Sequence, residues 1–366
     1  MSTHEPMPRS AWIFPALAVL LFAAATALHY SFAPSAAGLV FAGVLLVILF
    51  GTVFAAVHHA EVIAERIGEP YGTLLLTLSV TIIEVALIAT IMLGEKEAMT
   101  TLARDTVFAV VMIVCNGLVG ICILAGGLRY REQDVQVSGS NIYLSVLAVL
   151  ATITLIEPSY TATTPGPIYS WGQLGFVSVV TILLYGVFLY TQTVRHRDYF
   201  VIDLTSASGD GSQGSNRMML LSILLLLVSL LAVVLLAKKF SLVVEAGTAL
   251  IGAPPAFAGI LVALLILLPE SVAAVNAARK NDLQKSINLA LGSSLATIGL
   301  TIPAVAVAAY FLDKQLVLGL PTLDIVLLAL TFLVSMLTLG TGRTNILFGL
   351  VHLVVFAVFV FLVFIP

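Results

Sequence analysis

Long apolar runs separated by short polar breaks occupy almost the whole chain. A helix needs about 20 apolar residues to cross the hydrocarbon part of a bilayer. The pattern of runs and breaks predicts eleven membrane-spanning helices, at residues 11–30, 36–67, 70–94, 103–128, 140–157, 170–194, 217–251, 256–279, 284–309, 320–339 and 344–364. The fold class that follows is an all-α polytopic membrane protein.

Two of the predicted helices, 36–67 and 217–251, are longer than one crossing requires. Helices of this length should be steeply tilted or broken. Lys238 and Lys239 fall inside the second one, where a break would change the number of crossings. The first apolar segment, 11–30, exceeds an ordinary signal-peptide core, so we interpret it as a retained span even though a sequence loosely resembling a cleavage site follows it.

Composition agrees with this pattern and excludes other classes. Hydrophobic residues make up 60% of the chain and charged residues only 10%, which is not the composition of a soluble domain. The formal net charge is -3 and the basic residues form no polybasic face, so nucleic acid is not an expected partner. The expected surroundings are membrane lipid.

A short motif occurs twice in the chain, at 59–76 and 243–261. Its Glu, Gly and Pro positions recur at the same spacings, as Glu61, Gly68 and Pro70 in the first copy and Glu245, Gly252 and Pro254 in the second. An intramembrane glutamate follows each copy, Glu84 and Glu270 respectively. Weak internal symmetry of this kind is typical of repeat-built transporters, whose ion sites lie near the membrane midplane.

The repeat sets the predicted domain organisation. Residues 1–35 form an N-terminal tail and an extra helix, 36–203 a first five-helix repeat and 217–366 a second one. The Gly- and Ser-rich stretch between them, 204–216, is predicted to be a flexible cytoplasmic linker. Because five is an odd number, the second repeat enters the membrane from the opposite side, and the repeats are inverted.

The distribution of Lys and Arg supports this layout. If the N-terminus is cytoplasmic, eleven of the 16 Lys and Arg residues fall in cytoplasmic segments and three in segments on the other side. Cytoplasmic loops of membrane proteins carry such an excess of positive charge. The sequence therefore predicts a cytoplasmic N-terminus.

Glu84 and Glu270 are the main candidates for chemistry, because acids within spans are usually functional. Thr77, Thr81 and Glu84 share one helix face, which forms a stripe of oxygen atoms. Pro269, just before Glu270, has no N–H to bind the Leu265 carbonyl, so a backbone oxygen is expected to be released beside the carboxylate. The alternative is that each glutamate only joins helices through hydrogen bonds.

Two further predicted helices carry polar groups beside glycines that allow close helix approach. These groups are Asn116, Ser293, Ser294 and Thr297. Ca²⁺ takes about six to eight oxygen ligands, which carboxylates, hydroxyls, amides, carbonyls and water can supply together. No His or Cys cluster lies at matching depth in the sequence, which disfavours a zinc or copper site.

Protons and metal should compete for these carboxylates. A charge at the bilayer centre costs about 2.5 to 3.5 kcal/mol, so a buried glutamate should favour its neutral form. Like-charge repulsion between two facing glutamates reinforces this preference, whereas a divalent cation removes both penalties. Such competition is sufficient for exchange if the site opens alternately to the two sides.

Other titratable groups have a weaker case. Glu61 and Glu245 recur between the repeats but lie toward helix ends, where they either contribute to ion access or gating or are solvated or capping. His58 and His59 are candidate proton sensors, although solvated interfacial histidines without such a role are the favoured interpretation.

Two segments carry a resemblance to a known family: AEVIAERIGEPYGTLLLTLSVTIIE in the first repeat and LLPESVAAVNAARKNDLQKSINLALGSSLATIGLTIP in the second. With them, the chain resembles the cation/proton exchanger (CAX) branch of the calcium/cation antiporter superfamily, most of all the bacterial ChaA type. The resemblance spans most of the chain. It implies that Glu84 and Glu270 bind Ca²⁺ or protons. The family's Gly-Ser-Ser stretch matches Gly292, Ser293 and Ser294, and Asn116 matches the polar residue that the family has on the third helix of the first repeat.

The chain also departs from the family pattern. Many members have Gly-Asn before the motif glutamate, whereas Ile82 and Ile83 precede Glu84 here. Fewer amide oxygens imply a looser selectivity for Ca²⁺. The ChaA type is also associated with Na⁺ and K⁺ exchange, so activity on monovalent cations is implied as well.

The functional hypothesis is a secondary antiporter of a bacterial inner membrane that exports Ca²⁺ in exchange for H⁺. It requires no cofactor, since Ca²⁺ is its cargo. The alternative is a Na⁺(K⁺)/H⁺ antiporter that uses the same site. An intramembrane enzyme is disfavoured because no nucleophile–base or metal-ligand constellation appears at membrane depth. A channel is disfavoured because paired titratable groups fit alternating access better than free conduction.

Overall fold

The eleven long helices predicted from the sequence are present. The computed structural model describes residues 8–28, 35–68, 71–94, 99–200 and 216–365 of the 366-residue chain. The helices are α1 (Ser10–Ala27), α2 (Ala36–Ile67), α3 (Tyr71–Gly94), α4 (Leu102–Tyr130), α5 (Val137–Ser159), α6 (Trp171–Arg195), α7 (Asn216–Ile251), α8 (Ala256–Arg279), α9 (Leu283–Phe311), α10 (Thr322–Leu339) and α11 (Ile346–Phe364). Each is long and apolar enough to cross a membrane.

Both of the unusually long helices, α2 and α7, are continuous. Lys238 and Lys239 lie within α7 without interrupting it. Lys238 is exposed and Lys239 half-buried, so their flexible stems can carry the charges toward a polar surface. The break considered for this helix does not occur, and the number of spans is unchanged.

Four helices are not regular throughout. The middle of α4 is π-helical at Ile113–Leu118, and the middle of α9 is π-helical at Thr297–Thr301. Residues Thr152–Ile156 and Thr191–Arg195, near the ends of α5 and α6, are also π-helical. Single π turns are rare and occur often at functional sites. The two in the middle of helices fall on the third helix of each predicted repeat.

Four short strands pair between loops. Met99–Thr100 (β1) runs parallel to Gln315–Leu316 (β3), and Glu132–Asp134 (β2) runs antiparallel to Arg343–Asn345 (β4). Exposed Arg343 lies 3.1 Å from Asp134 and 3.9 Å from Glu132. Such exposed ion pairs contribute little stability, so the backbone pairing is the firmer link between these loops.

The chain divides into two compact units. The first consists of residues 1–94 and 209–253 and contains α1, α2, α3 and α7; α2 packs against the other three. The second consists of residues 95–208 and 254–366 and contains the other seven helices. Each unit therefore takes helices from both predicted repeats. The repeat boundaries stay a prediction, and the predicted linker lies, apart from Asn216, outside the described residues.

The repeated glycines terminate the two long helices. Gly68 follows α2 with φ of 75°, and Gly252 follows α7 with φ of 63°. This left-handed conformation is strained for residues with a side chain and is common just after a helix. The Gly68 N–H donates to the Ala64 carbonyl at 2.9 Å, closing the last turn. The spacing that the two copies of the motif share thus marks two equivalent helix ends.

Helix α1 docks on α2 through a hydrogen bond that a proline makes available. Pro15, within α1, has no N–H to bind the Ala11 carbonyl four residues earlier. His59 on α2 is fully buried and its Nε2 donates to that carbonyl at 2.9 Å. Nearby, the ring of Phe14 lies directly over Gly51, where a Cβ atom would overlap it. His59 is therefore a buried structural contact and not a solvated interfacial residue.

Candidate functional site

Glu84 lies on the buried face of α3. The side chain is 1% exposed, Thr81 is 6% exposed and Thr77 is half-buried. Leu78 and Ile82, which point in other directions from the same helix, are 53% and 39% exposed. The stripe of oxygen atoms predicted on this helix therefore faces the protein, whereas Leu78 and Ile82 face outward.

Glu270 lies beyond the middle of α8, directly after Pro269. The helix continues through this proline, and Leu265, whose carbonyl has no N–H from residue 269, is fully buried. The Glu270 side chain is half-buried, with its Oε2 atom shielded from solvent. The carboxylate of Glu270 and the Leu265 carbonyl, which the sequence predicts to lack its helical N–H partner, therefore lie on one continuous helix.

The end of α8 is held by side chains in the last turn of α4 and in strand β2, just after it. The Arg279 carbonyl accepts from Arg129 Nη1 at 3.3 Å and from the Tyr130 hydroxyl at 3.2 Å. The Ala278 carbonyl accepts from Gln133 Nε2 at 3.0 Å. These bonds satisfy terminal carbonyls that have no partner within the helix. They fix the end of the helix that carries Glu270.

Three predicted site residues lie on α9. Ser294 and Thr297 are buried, and Ser293 is half-buried. Ser294 Oγ has no hydrogen-bond partner among the described residues, so its oxygen is available to a ligand. Thr297 begins the π turn of this helix.

Asn116 lies in the π turn of α4 and is fully buried. Its Nδ2 donates to Thr331 Oγ1 at 2.8 Å, on α10. Its Oδ1 lies 3.4 Å from Nδ1 of His352, on α11. The amide thus links three helices of the second unit. The residues next to Asn116 in the sequence do not predict these contacts.

Sequence reasoning missed the polar side chains around Asn116. His352 and Thr331 are fully buried, and Thr338 is 1% exposed. His352 Nε2 lies 3.0 Å from Thr338 Oγ1. A signal was present, because His352 is the single polar residue in the apolar run 346–364. A histidine in such a run requires polar partners, so the sequence alone predicts a buried polar contact at this position.

Glu61 and Glu245 lie in equivalent places near the ends of α2 and α7, and both are exposed. Glu245 Oε1 accepts from the Ser241 hydroxyl one turn earlier, at 2.8 Å. Their exposure agrees with the interpretation that they are solvated. A role in ion access or gating stays a prediction.

The candidate residues are divided between the two units. The first unit holds Glu84, Thr77, Thr81, Glu61 and Glu245, and the second holds Glu270, Asn116, Ser293, Ser294 and Thr297. The meeting of Glu84 with Glu270 stays a prediction. Within the described residues, no group of three or more His, Cys, Asp or Glu side chains is arranged to hold a metal ion.

Tyr169 is a half-buried titratable group in the loop between α5 and α6, outside the spans. Burial raises the pKa of its hydroxyl above the ordinary value, and the nearby Glu157 carboxylate adds to this effect. The neutral hydroxyl donates to the Ile153 carbonyl at 2.6 Å and lies 3.5 Å from Glu157 Oε2. It thereby ties the 160–170 loop to the end of α5.

Comparisons with known proteins identify the family. The model of the sodium/calcium exchanger protein family matches residues 35–194 and 221–365. The protein y4hA of Sinorhizobium fredii is 44% identical over 365 residues, covering 100% of this chain and 98% of its own. The sodium-potassium/proton antiporter ChaA of Escherichia coli is 37% identical over 323 residues, covering 87% of each chain.

A solved structure shows the same fold. The structure of the Ca²⁺/H⁺ antiporter protein YfkE aligns with a TM-score of 0.71 at 17% sequence identity, covering 98% of this chain and 100% of its own. The family match and the relatives agree with the resemblance carried by the two repeat segments. The chain belongs to the sodium/calcium exchanger protein family, in the cation/proton exchanger branch of the calcium/cation antiporter superfamily.

Proposed function

We propose that this chain is a proton-coupled antiporter that exports Ca²⁺ from the cytoplasm in exchange for H⁺. The observation that carries the proposal is the burial of Glu84, at 1% exposure, within a membrane-spanning helix. A carboxylate in such surroundings is stable when it is protonated or when a cation is bound to it. Exchange of one state for the other is the elementary step of antiport.

Glu84 and Glu270 are the proposed binding groups for both ions. Thr77, Thr81, Ser293, Ser294, Thr297 and Asn116 are proposed to add hydroxyl and amide oxygens. Ca²⁺ is bound in proteins by such oxygens in flexible geometry. When Ca²⁺ binds, both carboxylates release their protons. When protons return, the neutral carboxyls no longer offset the desolvation of the metal, which is released.

A Na⁺(K⁺)/H⁺ antiporter is the second candidate. It is favoured by the name of ChaA, which describes a sodium-potassium/proton antiporter, and by the 37% identity to that protein. Ile82 and Ile83, just before Glu84, supply no side-chain oxygen to a cation, which also disfavours strict Ca²⁺ selectivity. The same carboxylates serve either reaction.

We expect the same sidedness that the Lys and Arg distribution predicts, with the N-terminus in the cytoplasm of a bacterial cell and the protein in the inner membrane. In that orientation the inward proton gradient drives export of the cation.

The test uses purified protein in proteoliposomes with an imposed pH gradient. Addition of Ca²⁺ should collapse the gradient in the wild type, whereas Glu84→Gln and Glu270→Gln should reduce the rate at least about 100-fold, because neither amide can carry a proton. Glu132→Gln is the matched control, since this glutamate is exposed in β2 and should be dispensable. Wild-type rates in both intramembrane variants would refute the assignment.

Substrate identity is measured in the same vesicles. Ca²⁺, Na⁺ and K⁺ are added singly and then in competition. A Ca²⁺ transporter should respond to Ca²⁺ at concentrations at which Na⁺ and K⁺ have no effect. A response to the monovalent cations alone would establish the second candidate and leave the role of the glutamates intact.

A further inference from the structure

His352 is a buried imidazole to which the proposed exchange reaction assigns no role. It is fully buried in α11, a helix whose other side chains are all apolar. An ionisable group at such a position is expensive and calls for specific partners. Its partners are Asn116 on one side and Thr338 on the other.

Glycine contacts bring α11 onto the irregular part of α4. A Cβ atom on Gly120 would lie 3.0 Å from the Gly349 carbonyl oxygen and 3.1 Å from His352 Cβ. A Cβ atom on Gly349 would lie 3.0 Å from the Gly120 carbonyl oxygen. The two backbones are therefore nearly in contact, and His352 reaches the π turn at Ile113–Leu118 without an intervening side chain.

The hydrogen bonds around His352 have a defined direction. The Thr331 hydroxyl donates to the Leu327 carbonyl at 2.8 Å, so it accepts from Asn116 Nδ2. The Asn116 oxygen then faces His352, and this bond forms only if Nδ1 carries the proton. In the neutral ring, Nε2 accepts from the Thr338 hydroxyl.

We infer that His352 is a positioning residue, which holds the π turn of α4 and the Asn116 amide in the orientation required for cation binding. The Nδ1 proton occupies one lone pair of Asn116 Oδ1 and leaves the other for a ligand. The inference rests on the proposed function, in which Asn116 contributes to the cation site. His352 itself does not contact the cation.

The test separates the two nitrogens of the ring. In His352→Asn, the side-chain amide can donate from the place of Nδ1, whereas in His352→Gln it reaches the place of Nε2 instead. His352→Leu removes both contacts. We expect His352→Leu and His352→Gln to raise the KM for the transported cation about fivefold, and His352→Asn to stay within about twofold of the wild type. The maximal rate should change less than the KM.

Thr338→Val is the matched control, because it removes only the contact to Nε2. Its KM should stay within about twofold of the wild type. A wild-type KM in His352→Leu, or recovery by Gln and not by Asn, would overturn the inference. If His352→Leu does not fold, the Asn and Gln variants decide the question alone. Glu84→Gln and Glu270→Gln are measured in parallel, and their activity would refute the proposed function without bearing on the KM comparison at His352.

Discussion

At the scale of single residues, burial separates the acids of this chain into two kinds. Glu84 is buried, whereas Glu61 and Glu245 are exposed near helix ends. This contrast agrees with the proposal that a buried acid, and not an exposed one, carries the exchange chemistry.

Ser294 offers a prediction at the same scale. Its buried hydroxyl has no hydrogen-bond partner among the described residues, so a cation is a natural ligand for it. We expect Ser294→Ala to raise the KM for the transported cation about threefold to tenfold through loss of one ligand, with a stable fold because no protein hydrogen bond is lost. Transport kinetics in proteoliposomes measure the effect.

Ser286→Ala provides the control for this prediction. Ser286 lies on the same helix, is fully buried and belongs to no proposed ion ligand set. Its KM should equal that of the wild type. Equal KM values in Ser294→Ala and the wild type would remove Ser294 from the site.

The polar residues of the candidate site illustrate what the sequence can and cannot predict. Glu84, its threonines and the burial of their face followed from helix periodicity, which is a local property. The contacts of Asn116 did not follow, because Thr331 and His352 are more than 200 positions away in the chain and meet it only through helix packing. A single polar residue in an apolar run can be recognised from the sequence as a candidate buried polar group, but its partners cannot.

At the scale of helices, bounds were predicted well because the length of an apolar run is set by the bilayer. The π turns were not predicted, since they shift the backbone without changing the hydrophobic pattern. The sequence also did not predict the continuity of α7 across Lys238 and Lys239. The free-energy cost of two lysines within a span depends on whether their ammonium groups reach a polar surface, which the sequence does not give.

The docking of α1 gives a prediction at this scale. His59→Leu should lower the thermal stability of the purified protein in detergent, by about 1 to 2 kcal/mol, because the Ala11 carbonyl loses its donor. Pro15→Ala restores a backbone N–H to that carbonyl. In the double variant, the loss caused by His59→Leu should therefore be smaller.

A double-mutant cycle on thermal unfolding measures this coupling. Thr181→Val, a substitution of a buried hydroxyl within the second unit, controls for general effects of removing polar groups. Strictly additive effects of the Pro15 and His59 substitutions would show that the histidine does not serve the carbonyl released by the proline.

At the scale of the whole molecule, the sidedness of the chain can be tested through its loops. Ala162 lies in the loop before α6 and is exposed, and Glu132 lies in β2 and is exposed. The Lys and Arg distribution places the first outside the cell and the second in the cytoplasm. A membrane-impermeant maleimide added to intact cells should label Ala162→Cys, and label Glu132→Cys only after permeabilisation.

The native protein supplies the background for this experiment. Cys115 and Cys122 are both buried, so wild-type labelling should be low. The reverse labelling pattern would show that the chain has the opposite orientation, and the proposed direction of proton-driven transport would then be reversed.

The composition of the two compact units has a consequence for how this molecule is assembled. Helix α7 belongs to the C-terminal half of the sequence, yet it packs against α2 in the first unit. A chain severed between residues 204 and 215 would give two fragments, neither of which contains all the helices of either unit. The two fragments would therefore have to exchange helices before either unit could form.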